Sequence, residues 1–100
     1  MAKPFYITTT LPYVNSDPHI GHATEFIRAD VVARYKRLEG FEVFFNTGTD
    51  EHGAKLFEAA QKQGVTPQEY VDGYAARFKE LVATLNISAN NFIRTTDANH

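Results

Sequence analysis

Phe5-Tyr6-Ile7-Thr8-Thr9-Thr10-Leu11-Pro12 opens the stretch that decides the fold. Its β-branched and aromatic residues predict a strand over Phe5–Leu11. Pro12 ends that strand, because proline has no N–H to give to a ladder. Tyr13-Val14-Asn15-Ser16-Asp17 reads as a loop of turn-favouring residues. Asp17 is then expected as an N-cap and Pro18 as the first helical residue. Ile20, Ala23, Ile27, Val31, Tyr35 and Leu38 recur at steps of three or four, which is helical spacing. Arg28, Asp30, Arg34, Lys36 and Arg37 fall between them and are expected to face solvent. Gly40 is the expected stop. Phe41–Asn46 reads as a second, largely buried strand. A strand, a helix and a strand make a βαβ unit, which implies parallel pairing and a right-handed crossover.

Working outward, Thr47-Gly48-Thr49-Asp50-Glu51-His52-Gly53 is expected as a loop at the carboxyl end of the second strand. Lys55–Gln63 predicts a short helix stopped near Gly64. Thr66-Pro67-Gln68-Glu69 is a capping-box pattern with proline at the first helical position. Beyond it Tyr70, Val71, Tyr74, Phe78, Leu81, Val82 and Leu85 mark one face of a long helix. Asn86–Asn91 is rich in turn formers, and Phe92-Ile93-Arg94-Thr95-Thr96 begins another strand. The chain stops at Asp97-Ala98-Asn99-His100. A two-strand parallel sheet needs further strands and covering helices. The fold class is therefore α/β, expected as the incomplete first half of a Rossmann-like parallel-sheet nucleotide-binding domain.

The bulk composition narrows the partners. With 100 residues, one domain at most is expected. A formal net charge of −2 argues against a free-standing nucleic-acid binder, so any grip on nucleic acid lies mainly elsewhere. There are no cysteines, hence no disulfides and no Cys-type zinc site. No apolar run reaches the length of a membrane span, and the first residues lack a signal peptide's apolar core. A cytoplasmic location without membrane partners is the expectation.

In an open parallel sheet, ligands bind beyond the carboxyl ends of the strands. Two unusual segments fall there: Pro18-His19-Ile20-Gly21-His22 at a helix start, and Asp50-Glu51-His52-Gly53 after the second strand. A helix N-terminus offers unpaired N–H groups and partial positive charge. His19 and His22 are expected on one helical face. Gly21 leaves backbone uncovered for the close approach of a flat ring. The combination suits a nucleotide, with its base against the glycine and its phosphates against the imidazoles. Two donors aimed at a phosphate stabilise charge as the α-phosphate is attacked. No Walker-type glycine loop is present, so γ-phosphate transfer is not indicated. Plainer readings stand beside this one. The histidines can be solvent-exposed capping decoration, and Asp50 can cap the next helix. His19, His22, Asp50 and His52 can also be read as zinc ligands. Glu25, Tyr35 and Lys55 can be ordinary surface or core residues.

Pro18-His19-Ile20-Gly21-His22 resembles the "HIGH" signature of class I aminoacyl-tRNA synthetases. The segments Thr8–Asn15, Ala29-Asp30-Val31, Arg34-Tyr35 with Leu38 and Gly40, Thr47–Gly53 and Phe92–Asp97 resemble the methionyl-tRNA synthetase family in order and spacing. The likeness runs from about Phe5 to His100. It implies that Leu11 and Tyr13, with the backbone near Thr10, line a methionine side-chain pocket. It further implies that Asp50 holds the substrate ammonium and that His52 lies near the site. His19 and His22 are implied as the catalytic residues that contact the ATP phosphates, with Gly21 on the adenine and Glu25 near the adenosine. Substrates and partners implied are methionine, ATP with Mg2+, and tRNA-Met, the last contacted mainly by other regions. No metal ligand is implied within this chain; zinc is expected only in a downstream insertion. The activity implied is that of a methionine–tRNA ligase. The resemblance makes residues 1–100 the N-terminal portion of the catalytic domain. The family's "KMSKS" loop does not occur here, so the isolated chain is expected to bind ATP weakly and to make no adenylate.

Two other classes compete. A small-molecule nucleotidyltransferase also uses a His-x-Gly-His string, but leaves the Asp50 segment and Leu11-Pro12-Tyr13 unexplained. A non-catalytic synthetase-like module gains nothing from keeping His19, His22 and Asp50 together.

Overall fold

The computed structural model describes residues 2–15 and 17–98. The expected turn position at Ser16 and the last two residues of the expected chain end lie outside them. The elements follow in the order β1 (Pro4–Thr8), α1 (Ile20–Leu38), β2 (Glu42–Thr49), α2 (Ala54–Gln63), α3 (Pro67–Thr84) and β3 (Asn91–Arg94). The three strands form one parallel sheet in the order β1-β2-β3, as the βαβ reading requires.

The sheet is staggered. β1 pairs with the first part of β2, from Pro4↔Glu42 to Thr8↔Asn46. β3 pairs with its last part, from Asn46↔Asn91 to Thr49↔Arg94. That second pairing extends β2 three residues beyond the expected Asn46, so the expected loop over Thr47–Gly53 begins only at Asp50. Gly48 is part of the reason: any Cβ there would collide with the Ile93 carbonyl. β1, in turn, is shorter than expected. Thr9 N–H still donates to the Asn46 carbonyl at 3.2 Å. Thr10 N–H instead donates to the Glu25 carboxylate at 2.7 Å, which draws the chain out of the sheet before Pro12.

The start of α1 also departs from expectation. Asp17 is not the N-cap and Pro18 is not helical; His19 is the N-cap. The His19 Nδ1 accepts from Gly21 N–H at 3.0 Å, while Asp17 is drawn off to an ion pair with Arg77 on α3.

The face of α1 that packs is a second departure. Phe26, Asp30 and Ala33 are its buried residues, whereas Ile20, Ile27, Val31, Tyr35 and Leu38 are exposed, Leu38 at 88%. Asp30 was expected in solvent. It is buried because its carboxylate accepts from Ser88 N–H at 2.8 Å, from the Ser88 hydroxyl, and from Arg34 Nε at 2.8 Å. Burial pushes its pKa up, but these bonds outweigh burial and hold it below the usual carboxylate range. Arg37 adds bonds to Ser88 and Asn90, so α1 fastens the turn between α3 and β3 through polar groups. A periodicity count ranks apolar residues inward and misses a hub of this kind.

Helices α2 and α3 follow their signals except that the Thr66–Glu69 capping box is half formed: the Glu69 carboxylate accepts from the Thr66 hydroxyl rather than from the Thr66 N–H. Gly64 closes α2 in the left-handed region at φ 70°. The Thr66 hydroxyl accepts from Glu69 N–H at 3.1 Å, with Pro67 at the first helical position. Tyr70, Val71 and Phe78 enter the core with Phe26, Phe45, Val14 and Leu56. Phe26, Phe45 and Phe78 are fully buried, so truncating any one of them to alanine costs about 3–5 kcal/mol.

Candidate functional site

The parallel topology brings both unusual segments to the carboxyl edge of the sheet. The loop after β1 leads into the start of α1, and Asp50 follows directly on β2. The two segments are joined through backbone. Asp50 N–H donates to the Pro12 carbonyl at 2.8 Å, and Val14 N–H donates to the Asp50 carbonyl at 3.2 Å. Tyr13 and Asp50 thus form an isolated parallel bridge. Gly53 lies under the Tyr13 ring: a Cβ there would collide with the Tyr13 hydroxyl, and its φ of 144° is one that side chains avoid. Thr10 is tied the other way, its N–H and hydroxyl both donating to Glu25 on α1. Thr10, Leu11, Tyr13 and Asp50 therefore occupy one continuous patch, and Glu25 braces it rather than standing free.

The helix start is built from its own imidazoles. His19 Nδ1 accepts from Gly21 N–H at 3.0 Å, and His22 Nδ1 accepts from His19 N–H at 3.1 Å. This is a capping box made with histidine in both roles. Each Nδ1 is an acceptor, so each neutral ring carries its proton on Nε2, leaving an N–H free to donate. The rings stack with centroids 3.9 Å apart, and His22 meets the edge of Phe78 at 4.9 Å. Burial and the neighbouring His19 lower the His22 pKa against the pull of Glu25. His22 is thereby kept neutral, the form the cap requires. Gly21 has a local duty as well: a Cβ there would come within 2.8 Å of the His19 ring.

The Asp50 carboxylate is nearly uncommitted. It accepts a long bond from His52 N–H at 3.5 Å, and among the described residues no Lys or Arg pairs with it. Asp50 does not cap α2; Gly53 stands at that position without a side-chain bond. The exposed His52 donates from Nε2 to the Thr95 carbonyl at 3.1 Å. Among the described residues no three His, Cys, Asp or Glu side chains cluster closely enough to share a metal ion. The zinc reading of His19, His22, Asp50 and His52 therefore lacks the clustering it needs.

Sequence reasoning missed what supports this edge. Glu51 has a fully buried side chain. It accepts from Arg94 Nε and Nη2 at 2.7 Å each, from the Thr96 hydroxyl at 2.8 Å and from the Thr49 hydroxyl. Arg94 also pairs with Asp72 on α3. The signal was in view: a second acid beside Asp50, and an arginine in the Phe92–Asp97 segment.

Comparison with known proteins agrees with this geometry. The family described as "tRNA synthetases class I (M)" matches residues 5–100. The Methionine–tRNA ligase of Thermotoga maritima is 57% identical over 96 residues, which are 96% of this chain and 15% of that protein. That of Rhizobium meliloti is 53% identical over 98 residues, 98% of this chain and 19% of that protein. Among solved structures, Mycobacterium tuberculosis methionyl-tRNA synthetase in complex with methionyl-adenylate superposes with a TM-score of 0.95 at 48% identity, over 98% of this chain and 19% of that one. The chain thus spans a fifth or less of the length of these relatives. An ordered match along nearly the whole sequence, on a fold that superposes this closely, assigns the chain to the class I tRNA synthetases, in the methionyl family.

Proposed function

We propose that this chain is the N-terminal portion of the catalytic domain of a methionine–tRNA ligase and carries part of its adenylate site. The observation that carries the reading is the pairing, on one sheet edge, of two imidazole Nε2–H donors at a helix start with a carboxylate that has no cationic partner among the described residues. An anionic phosphate suits the first and an ammonium suits the second.

The reaction has two steps. The methionine carboxylate oxygen attacks the α-phosphorus of ATP, a bond to pyrophosphate breaks, and methionyl-adenylate forms. A hydroxyl at the tRNA-Met 3′-end then attacks the methionyl carbonyl, and AMP leaves. ATP arrives with Mg2+ as substrate. In this chain Asp50 holds the α-ammonium, and Leu11, Tyr13 and the backbone at Thr10 face the methionine side chain, with His52 at the margin. His19 and His22 donate from Nε2 to phosphate oxygens as charge develops. Gly21 admits the adenine to the backbone, and Glu25 keeps Thr10 and the helix start in register. No protein nucleophile is needed; positioning and charge stabilisation carry the chemistry. Among the described residues no helix is long and apolar enough to cross a membrane, and membership of the tRNA synthetase family favours a cytoplasmic setting.

The test is a chimera: the Thermotoga maritima enzyme carrying residues 2–98 of this chain in place of its own matched segment. Methionine-dependent ATP–pyrophosphate exchange is expected, reduced at least a hundredfold by His19→Ala. A folded chimera that exchanges with another amino acid, or with none, contradicts the reading.

A further inference from the structure

We infer that the Glu51–Arg94 pair is a positioning device for Asp50, specific to the amino-acid half of the site; the inference builds on the function proposed above. Asp50 is gripped from two sides. On one, its backbone N–H and carbonyl bond to Pro12 and Val14. On the other, the next residue is locked at every polar atom of its side chain. Glu51 Oε2 accepts from Arg94 Nε and the Thr49 hydroxyl, and Oε1 accepts from Arg94 Nη2 and the Thr96 hydroxyl. Its backbone N–H donates to the Thr95 hydroxyl at 2.7 Å. The Arg94 guanidinium grips both carboxylate oxygens side by side, a planar geometry that lysine cannot reproduce.

The arrangement does two things for Asp50. It fixes the peptide between residues 50 and 51, so the Asp50 carboxylate leaves the sheet edge in one direction. It also neutralises the second acid, so the edge presents one uncompensated carboxylate to an incoming ammonium. Asp72 on α3 accepts from the same Nη2, and Gln68 donates to Asp72 at 2.8 Å. The direction of Asp50 is thereby referred to α3 as well as to β3. No comparable link runs from this network to His19 or His22 among the described hydrogen bonds. The imidazoles are held by their own backbone and by Phe78. The pair should therefore govern methionine and leave ATP nearly alone.

The experiment compares Arg94→Lys, Glu51→Gln and the double variant Glu51→Gln/Arg94→Met with the unsubstituted chimera in ATP–pyrophosphate exchange. All four are measured below their unfolding temperatures. The double variant removes both charges together and so avoids a stranded buried ion. The expected result is a KM for methionine raised roughly ten- to a hundredfold in each variant, with the KM for ATP within about twofold. Arg94→Lys is expected to recover little, because charge without the planar fork does not restore the direction. Equal movement of both KM values, or full rescue by lysine, overturns the positioning role and leaves the site itself standing. An unsubstituted, folded chimera without methionine-dependent exchange overturns the role and the site together.

Discussion

The two turns at the carboxyl edge are stiffened by opposite means. The turn into α1 is held by neutral imidazoles at the surface, each accepting one backbone N–H. The turn after β2 is held by a buried carboxylate with four hydrogen bonds, two of them from one guanidinium. The first can loosen locally, and burial together with the neighbouring His19 holds the His22 pKa below its ordinary value. The second is charged, desolvated and tied to two other elements, so it yields only with the surrounding fold. Under the function proposed above, a site that grips a fixed ammonium yet lets phosphates come and go is served by that division. On that reading the rigid half aims the Asp50 carboxylate at the ammonium, and the softer half offers donors.

The sharpest way to break the contrast is Arg94→Ala, which strands the buried Glu51. Losing one partner of a buried pair costs roughly 3–5 kcal/mol, and the partial exposure of Arg94 points to the low end, about 3 kcal/mol. Chemical denaturation of the chain reads this directly. Gly53→Ala comes next. It forces a side chain into a backbone conformation reserved for glycine and into the Tyr13 hydroxyl, so a loss of about 2 kcal/mol is expected, with weakened methionine binding in the chimera.

The imidazole turn should respond to pH instead. The His22 pKa is lowered in the folded chain, so its contribution is fully present above the unfolded value of about 6.5 and declines as pH falls below it. Between pH 7 and pH 5, about 0.5–1 kcal/mol of cap stability should disappear. Amide hydrogen exchange at His19, corrected for intrinsic rate, should accelerate over that window, while exchange at Glu51 should not. A change at Glu51 as large as at His19 would merge the two turns into one cooperative unit.

The smallest effect lies on the far face of α1. Ile27, Val31, Tyr35 and Leu38 form an exposed apolar stripe, and Tyr6 stacks on Phe44 on an exposed part of the sheet. Val31→Lys with Leu38→Lys should leave stability within about 0.5 kcal/mol. The same change should reduce self-association in sedimentation experiments, since a contiguous apolar surface promotes it. Unfolding by the double substitution would mean that the stripe is core after all.

These residues also mark what was legible in the sequence. The order of the elements was, because β-branched runs, Gly64 and the Thr66–Glu69 cap act locally. The two site segments were, because a parallel βαβ unit sends both loops to one edge. Which face of α1 packs was not. Its periodic apolar residues pointed outward, while Asp30, buried through Ser88 and Arg34, held the inner face. Nor was the N-cap legible: Asp17 has the better intrinsic propensity, yet Arg77, sixty positions away, claims it. Glu51 and Arg94 escaped for the same reason. A bidentate pair between the turn after β2 and the end of β3 depends on a register that only tertiary structure fixes.

The most direct measurement of the central claim is a crystal structure of the chimera with a non-hydrolysable methionyl-adenylate analogue. The α-ammonium is expected within hydrogen-bond distance of the Asp50 carboxylate, and the phosphate-mimicking group on Nε2 of His19 or His22. A ligand that reaches only one of the two turns, or that sits away from this edge of the sheet, would contradict it.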